Sequence, residues 1–189
     1  MRYNPNIHHR RSIRLKGYDY SQVGLYFVTM CVQNRACFFG KVIDGEMILN
    51  DAGKMIEKWC AELSNKFSDI VVDTYVIMPN HFHMIIANVG DTVGANLCVR
   101  PEKLDEHTND VLGEHIGSPL RVVVQWLKTM TTNEYIRGVK TLDWQPFDKK
   151  LWQRNYWEHI IRNEQSYQHI ADYIINNPVK WQDDMLYME

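Results

Sequence analysis

The sequence predicts an α+β fold in which hairpin-joined strands are interleaved with amphipathic helices. Three observations carry that expectation. Gly24 to Arg35 (GLYFVTMCVQNR) and Ile70 to Met78 are dense in the β-branched and aromatic residues that strands favour. Apolar residues recur at helical spacing after Asn50, after Pro119 and after Asn163. Asp44-Gly45 and Pro79-Asn80 stand between strand-like runs, where they turn the chain back on itself.

Taken in order, residues 1–23 form a basic N-terminal arm in which Arg10, Arg11, Arg14 and Lys16 are interleaved with tyrosines. Such a mixture suits phosphates and unstacked bases, and equally a disordered tail. Gly24 to Arg35 is the first strand, Cys37 to Ile43 the second, and Asp44-Gly45 turns into Glu46–Leu49. Asn50 or Asp51 caps a helix to about Phe67, with Ala52, Met55, Ile56, Trp59, Cys60 and Leu63 at helical spacing. Ile70 to Met78 is almost continuously apolar, as expected of a strand at the centre of a sheet. Pro79-Asn80 then leads into a strand from His81 to Asn88.

Residues 90–118 lack periodicity and exceed an ordinary connection, so they read as a flexible acidic insert with His107 and His115 in solvent. Ser118 as cap and Pro119 at the first helical position open a helix to about Arg137. One of its faces is apolar, and Arg121, Gln125, Lys128 and Thr132 follow a polar stripe on the other. That stripe fits a nucleic-acid backbone or a merely solvated face. Lys149 to Ile161 reads as a short strand or extended segment packing Trp152, Tyr156 and Trp157. Asn163 caps the last helix and Pro178 ends it, with Tyr167, Ile170, Ala171 and Ile174 buried. His169, Tyr173 and Asn177 make a second stripe of that helix at four-residue spacing.

A chain of 189 residues, 45% apolar and 23% charged, fits a single globular domain over residues 1–189. No apolar run approaches the roughly 18–20 residues that span a bilayer, and the polar, basic N-terminus does not resemble a signal peptide. Four cysteines without CxxC spacing read as reduced thiols. The expectation is a cytoplasmic protein with no membrane partner. The net charge of −2 hides segregation: seven Lys/Arg face three acids from Arg121 to Arg154, Arg154 among them, whereas residues 90–118 carry six acids and two bases. Basic segments of this kind can present a phosphate-binding surface.

The chemistry concentrates in Met78-Pro79-Asn80-His81-Phe82-His83-Met84-Ile85-Ile86. Side chains alternate across a strand, so His81 and His83 share one face and can share a metal ion. In isolation the pair is equally compatible with one exposed and one hydrogen-bonded core histidine. Among the candidate nucleophilic tyrosines, Tyr173 has a polar residue four positions on: Asn177, whose amide oxygen suits Mg²⁺ or Mn²⁺. Tyr173 alone is also compatible with a half-buried aromatic.

The stretches IRLKGYDYSQ, GLYFVTMCVQNR, VIMPNHFHMII, LWQRNYWEHIIRN and ADYIINNPVKW together resemble the REP-associated tyrosine transposases, within the HUH single-tyrosine transposases. They run from about residue 10 to about residue 181, nearly the whole chain. The resemblance implies a ferredoxin-like split βαβ fold, with a central antiparallel sheet and a tyrosine-bearing helix against it. It implies His81 and His83 as metal ligands, Asn177 as the third ligand and Tyr173 as nucleophile. It also implies cutting and rejoining of single-stranded DNA beside palindromic hairpins through a 5′-phosphotyrosine, with Mg²⁺ or Mn²⁺, by a monomer or homodimer that is nucleoid-associated when bound to DNA. DNA contacts are expected from Arg10, Arg11, Arg14, Lys16, Arg121, Lys128 and Arg154. The competing readings are a domesticated hairpin-binding protein that does not cut, and a zinc hydrolase, which lacks a nearby Glu and a third His or Cys.

Overall fold

The computed structural model describes residues 15, 17–90 and 118–187. Strand β1 (Gly24–Cys31) is followed by the hairpin β2 (Gly40–Ile43) and β3 (Glu46–Leu49), then helix α1 (Asp51–Lys66). The hairpin β4 (Ile70–Ile77) and β5 (His81–Asn88) precedes α2 (Leu120–Thr141), β6 (Trp157–Ile161) and α3 (Glu164–Ile175). The main sheet has the order β4-β5-β1-β6 with every pairing antiparallel. With α1 and α2 as crossovers, this is the split βαβ arrangement. The β2-β3 ribbon is an addition between β1 and α1.

The alternation of the strands sorts the core into two layers. Tyr26, Val28 and Met30 of β1, with Phe82, Met84 and Ile86 of β5, face α1 and α2 in the larger core. Leu25, Ile85, Ala87 and Ile161 face the other way and meet Ala171 and Ile174 of α3. The apolar stripe of α1 buries Met55, Ile56, Cys60 and Leu63, and Asn50 Oδ1 caps the helix by accepting from Gly53 N at 2.9 Å. The first turn of α3 is closed similarly by Asn163 Oδ1, which accepts from Ser166 N at 2.8 Å.

Several expectations change. First, β4 is an edge strand, and the fully buried strand is β5. Val71, Asp73 and Tyr75 of β4 are exposed, and the register shifts between Val72 and Tyr75. A kinked strand bearing an exposed acid belongs at an edge, where it blocks further pairing. Second, α2 begins at Leu120 with Pro119 at the cap, while the backbone N–H and hydroxyl of Ser118 donate to Asp69. Third, α2 continues past Gly138 to Thr141. A Cβ at Gly138 would meet the Trp144 ring at 2.2 Å, so this glycine serves close packing and does not end the helix. Fourth, only Trp157–Ile161 of the 149–161 stretch is a strand, and Trp157 is exposed. Trp152 is buried, donating to Thr131 Oγ1 at 2.9 Å.

Cys31, Cys37 and Cys60 are free thiols, and no described helix is long and apolar enough to cross a membrane. In an exposed helix, glycine to alanine gains about 1 kcal/mol. Gly138→Ala is expected instead to destabilise the protein by about 1–3 kcal/mol through collision with Trp144, as read by urea denaturation.

Candidate active site

His81 opens the buried strand β5 directly after the turn at Asn80. The turn is held by Val32 N donating to Asn80 O and Met78 N to His81 O, each at 2.8 Å. The register sets Cys31 opposite His81 and Thr29 opposite His83, on the α3 side of the sheet. Both imidazoles are buried, His81 at 0% exposure and His83 at 2%. Their rings lie 4.5 Å apart.

The neighbours set the tautomer of His81. Asn80 Nδ2 donates to the carbonyls of Arg35 (3.1 Å) and Leu186 (2.8 Å), so its Oδ1 is the atom 2.9 Å from His81 Nδ1. An amide oxygen only accepts, so His81 carries its proton on Nδ1 and its Nε2 keeps a lone pair. That Nε2 is buried and has no hydrogen-bond partner among the described residues. His83 Nδ1 lies 2.7 Å from Thr29 Oγ1, and His83 Nε2 lies 3.2 Å from Tyr173 Oη. Both partners of His83 are hydroxyls, which donate or accept, so its Nδ1–H tautomer donates to Thr29 and leaves Nε2 to accept from the phenol. In that tautomer both histidines turn a lone pair inward while their outer nitrogens are held, as in histidine metal sites.

Tyr173 reaches this pair from α3, its ring 5.2 Å from His83 and edge-on to Phe27 at 6.2 Å. The residue is 41% exposed, so part of the side chain is open to solvent. Burial first, then the nearby Asp184 carboxylate, hold the phenol above its usual pKa. Asn177 lies past the end of α3 in the turn to Pro178 and is buried; its Oδ1 has no hydrogen-bond partner among the described residues. His169 is exposed on α3, and among the described residues no hydrogen bond joins it to Tyr173.

The sequence reading missed Asp184. His81, His83 and Asp184 each offer a ligand atom, and these atoms lie within 4.8 Å of one another. Asn177 Nδ2 donates to Asp184 Oδ2 at 3.2 Å. The chain after α3 folds back over the site: Trp181 lies 5.8 Å from the His81 ring, and Tyr187 packs edge-on against Trp181. Two buried imidazole lone pairs, an orphaned amide oxygen and a carboxylate are a donor set that fits a divalent cation. The sequence signal was no more than the Asp183-Asp184 pair after the last helix.

The residues expected to contact DNA divide three ways. Arg10, Arg11, Arg14 and Lys16 lie outside the described residues, as do His107 and His115. Arg121 is exposed on the first turn of α2, and exposed Arg154 lines a groove of about 410 Å³ with Thr132, Lys149, Lys150 and Gln153. Lys128 departs from the outward stripe. It is buried, and its Nζ donates to the carbonyls of Gln153 (2.9 Å) and Asn155 (3.2 Å), tying α2 to the following loop. Burial lowers its pKa to about 8.

Burial also holds the histidines neutral. His81 is lowered to about 4, desolvation outweighing the upward pull of Asp184 and Asn177. His83 lies well below the usual imidazole range, through burial and then the neighbouring His81. The unfolded chain takes up protons as pH falls through about 6.5 while the folded chain does not. Stability contributed by neutral burial is therefore full above about pH 6.5 and lost as pH falls toward about 4, on the order of 3 kcal/mol for His81. In urea denaturation with a chelator present, His81→Gln is expected to flatten the decline in stability across this window; an unchanged slope contradicts a neutral buried imidazole.

No protein-family model matches the chain. A Haemophilus influenzae protein described as uncharacterized is 40% identical over 190 residues, covering 100% of this chain and 98% of that protein. A second Haemophilus influenzae protein, whose given name places it among the REP-associated tyrosine transposases, is 24% identical over 86% of this chain and 74% of its own length. The REP-associated tyrosine transposase of Escherichia coli is 56% identical over 32 residues, 17% of this chain and 19% of that one. The structure of a REP-associated tyrosine transposase bound to a REP hairpin shares the fold, with a TM-score of 0.54 and 20% identity over 88% of this chain and 73% of that chain. The chain is thus similar in sequence to proteins named REP-associated tyrosine transposases, and it shares the α+β fold of one of them.

Proposed function

We propose that this protein nicks and rejoins single-stranded DNA beside palindromic hairpins, through a 5′-phosphotyrosine on Tyr173 and with a divalent cation at His81 and His83. The observation that carries this reading is the 3.2 Å contact between Tyr173 Oη and His83 Nε2 at the mouth of a buried pair of imidazole lone pairs. Nucleophile and candidate ligands come from one chain, which supports attack in cis by a monomer; a homodimer would serve to couple two cuts. We take residues 1–189 as one catalytic unit, working in the cytoplasm on nucleoid DNA, with the 1–23 arm and the 90–118 segment as accessories.

In the proposed reaction Tyr173 Oη forms a bond to the scissile phosphorus while the bond to the 3′ oxygen breaks, and the 3′-hydroxyl leaves. The covalent phosphodiester conserves the energy for rejoining. At pH 7 a phenol of pKa about 10 is ionised to roughly 0.1%, so generating the phenolate costs about 4 kcal/mol. Burial and Asp184 add to that cost here. A cation bound at the pair, Mg²⁺ or Mn²⁺, would supply Lewis-acid polarisation of the phosphate and neutralise developing charge. Two imidazoles suit Mn²⁺ better than Mg²⁺, which prefers oxygen ligands. His81 and His83 present lone pairs, Asn80 and Thr29 hold their orientation, and the exposed edge of Tyr173 admits the strand and releases the proton to solvent.

A labelled hairpin with a single-stranded flank, incubated with Mn²⁺, is expected to give a covalent adduct that survives denaturation and disappears in Tyr173→Phe. Hairpin binding with no adduct under any divalent metal would favour a non-cutting hairpin-binding protein. Replacing Arg10, Arg11 and Arg14 together by alanine is expected to reduce the slope of log affinity against log salt by about 2 if they contact phosphates. An unchanged slope removes the arm from the interface.

A further inference from the structure

We propose that Asp184 is the carboxylate ligand of the His81/His83 cation site, that Asn177 acts as its positioning residue, and that cation binding and docking of the chain after α3 are therefore linked. The proposal rests on the metal-site reading above and adds to the amide oxygen of Asn177 a carboxylate that reaches the site from beyond the last helix.

The geometry brings Asp184 to the same donors. Asp184 offers an oxygen within 4.8 Å of the donor atoms of both histidines. Asn177 has committed its amide N–H to Asp184 Oδ2 at 3.2 Å, the arrangement of a group that aims a ligand. Charge points the same way. His81 and His83 are neutral ligands, so with Asn177 alone the set would carry no compensating charge for a divalent ion, whereas Asp184 supplies one negative charge. The backbone N–H of Leu186 donates to the other oxygen, Asp184 Oδ1, at 2.6 Å, so both carboxylate oxygens are oriented.

Long-range bonds hold the segment that carries Asp184. Arg35 Nη1 donates to Met185 O at 2.9 Å and Asn80 Nδ2 to Leu186 O at 2.8 Å, while Trp181 rests against His81. The amide of Asn80 is the mechanical link. One edge anchors the segment and the other accepts from His81 Nδ1, leaving His81 Nε2 as the inward donor. A docked segment and a ligand-ready His81 thus favour each other, and a ligand that binds the assembled site stabilises the docked form.

The test uses the full chain without DNA and MnCl2 as the probe, followed by calorimetry and by the electron paramagnetic resonance of free Mn²⁺. Wild type is expected to take up one equivalent, His81→Ala to lose it, Asp184→Asn to bind about 100-fold more weakly, and Asn177→Ala about tenfold more weakly. Hydrogen exchange over residues 181–187 is expected to slow on Mn²⁺ addition in wild type and to ignore Mn²⁺ in Asp184→Asn. Arg35→Ala, which keeps every donor, is expected to speed exchange there and weaken Mn²⁺ several-fold; faster exchange at unchanged affinity overturns the linkage. Far-UV circular dichroism checks that each variant is folded. Uptake lost in His81→Ala but unchanged in Asp184→Asn overturns the assignment of Asp184 and leaves the nuclease reading standing. Absence of uptake in wild type overturns the metal site itself. Asp184-dependent uptake without any DNA adduct upholds this inference and overturns the nuclease reading.

Discussion

The site depends on the requirement that polar atoms on a fully buried strand find partners. β5 is enclosed on both faces, and its two histidines bring four ring nitrogens into that enclosure. Leaving such an atom unpaired costs about 1–3 kcal/mol, so the surroundings are built to meet them. Asn80 takes one, Thr29 another, and Tyr173 a third. The remaining nitrogen, His81 Nε2, is the orphan among the described residues, and it lies where a cation would also draw on His83 and Asp184. A local debt of this kind in an otherwise satisfied core is characteristic of binding sites.

The two sheet faces divide the labour. On one, α1 and α2 cover a continuous apolar surface that supplies the main core. On the other, the smaller cluster around Leu25, Ile85, Ala87 and Ile161 seats α3, whose Ala171 and Ile174 bring the backbone close enough for Tyr173 to span to His83. The far end of α3 is tied down separately by Tyr167, which donates to Asp73 at 2.8 Å in the irregular stretch of β4. The break in the edge strand that stops further pairing thus also provides an attachment point for the tyrosine helix.

What was legible in the sequence is what short-range periodicity controls. Alternation placed His81 and His83 on one face, the Pro-Asn turn placed them at a strand's beginning, and the Asn50 and Asn163 caps marked two helix starts. Whether an apolar run is central or peripheral is decided by its neighbours, and β4 was misplaced for that reason. Lys128 follows the polar stripe of α2 in spacing, yet the loop at Gln153–Asn155 covers it and offers carbonyls. Asp184 was illegible because bonds from Arg35 and Asn80, more than a hundred positions earlier, to its neighbours Met185 and Leu186 bring it to the histidines. The pairing of Tyr173 with the strand came from family resemblance, since helical spacing alone does not tell which sheet face a helix covers.

The amide of Asn80 has a chemical corollary. Its three hydrogen bonds need two donors on one side and an acceptor on the other, a polarity that an isosteric carboxylate cannot reproduce. Hydrolytic deamidation would leave the shape of the side chain unchanged, yet set an oxygen against the carbonyls of Arg35 and Leu186. Ageing at this one position would thus reverse the sign of two contacts while keeping the third.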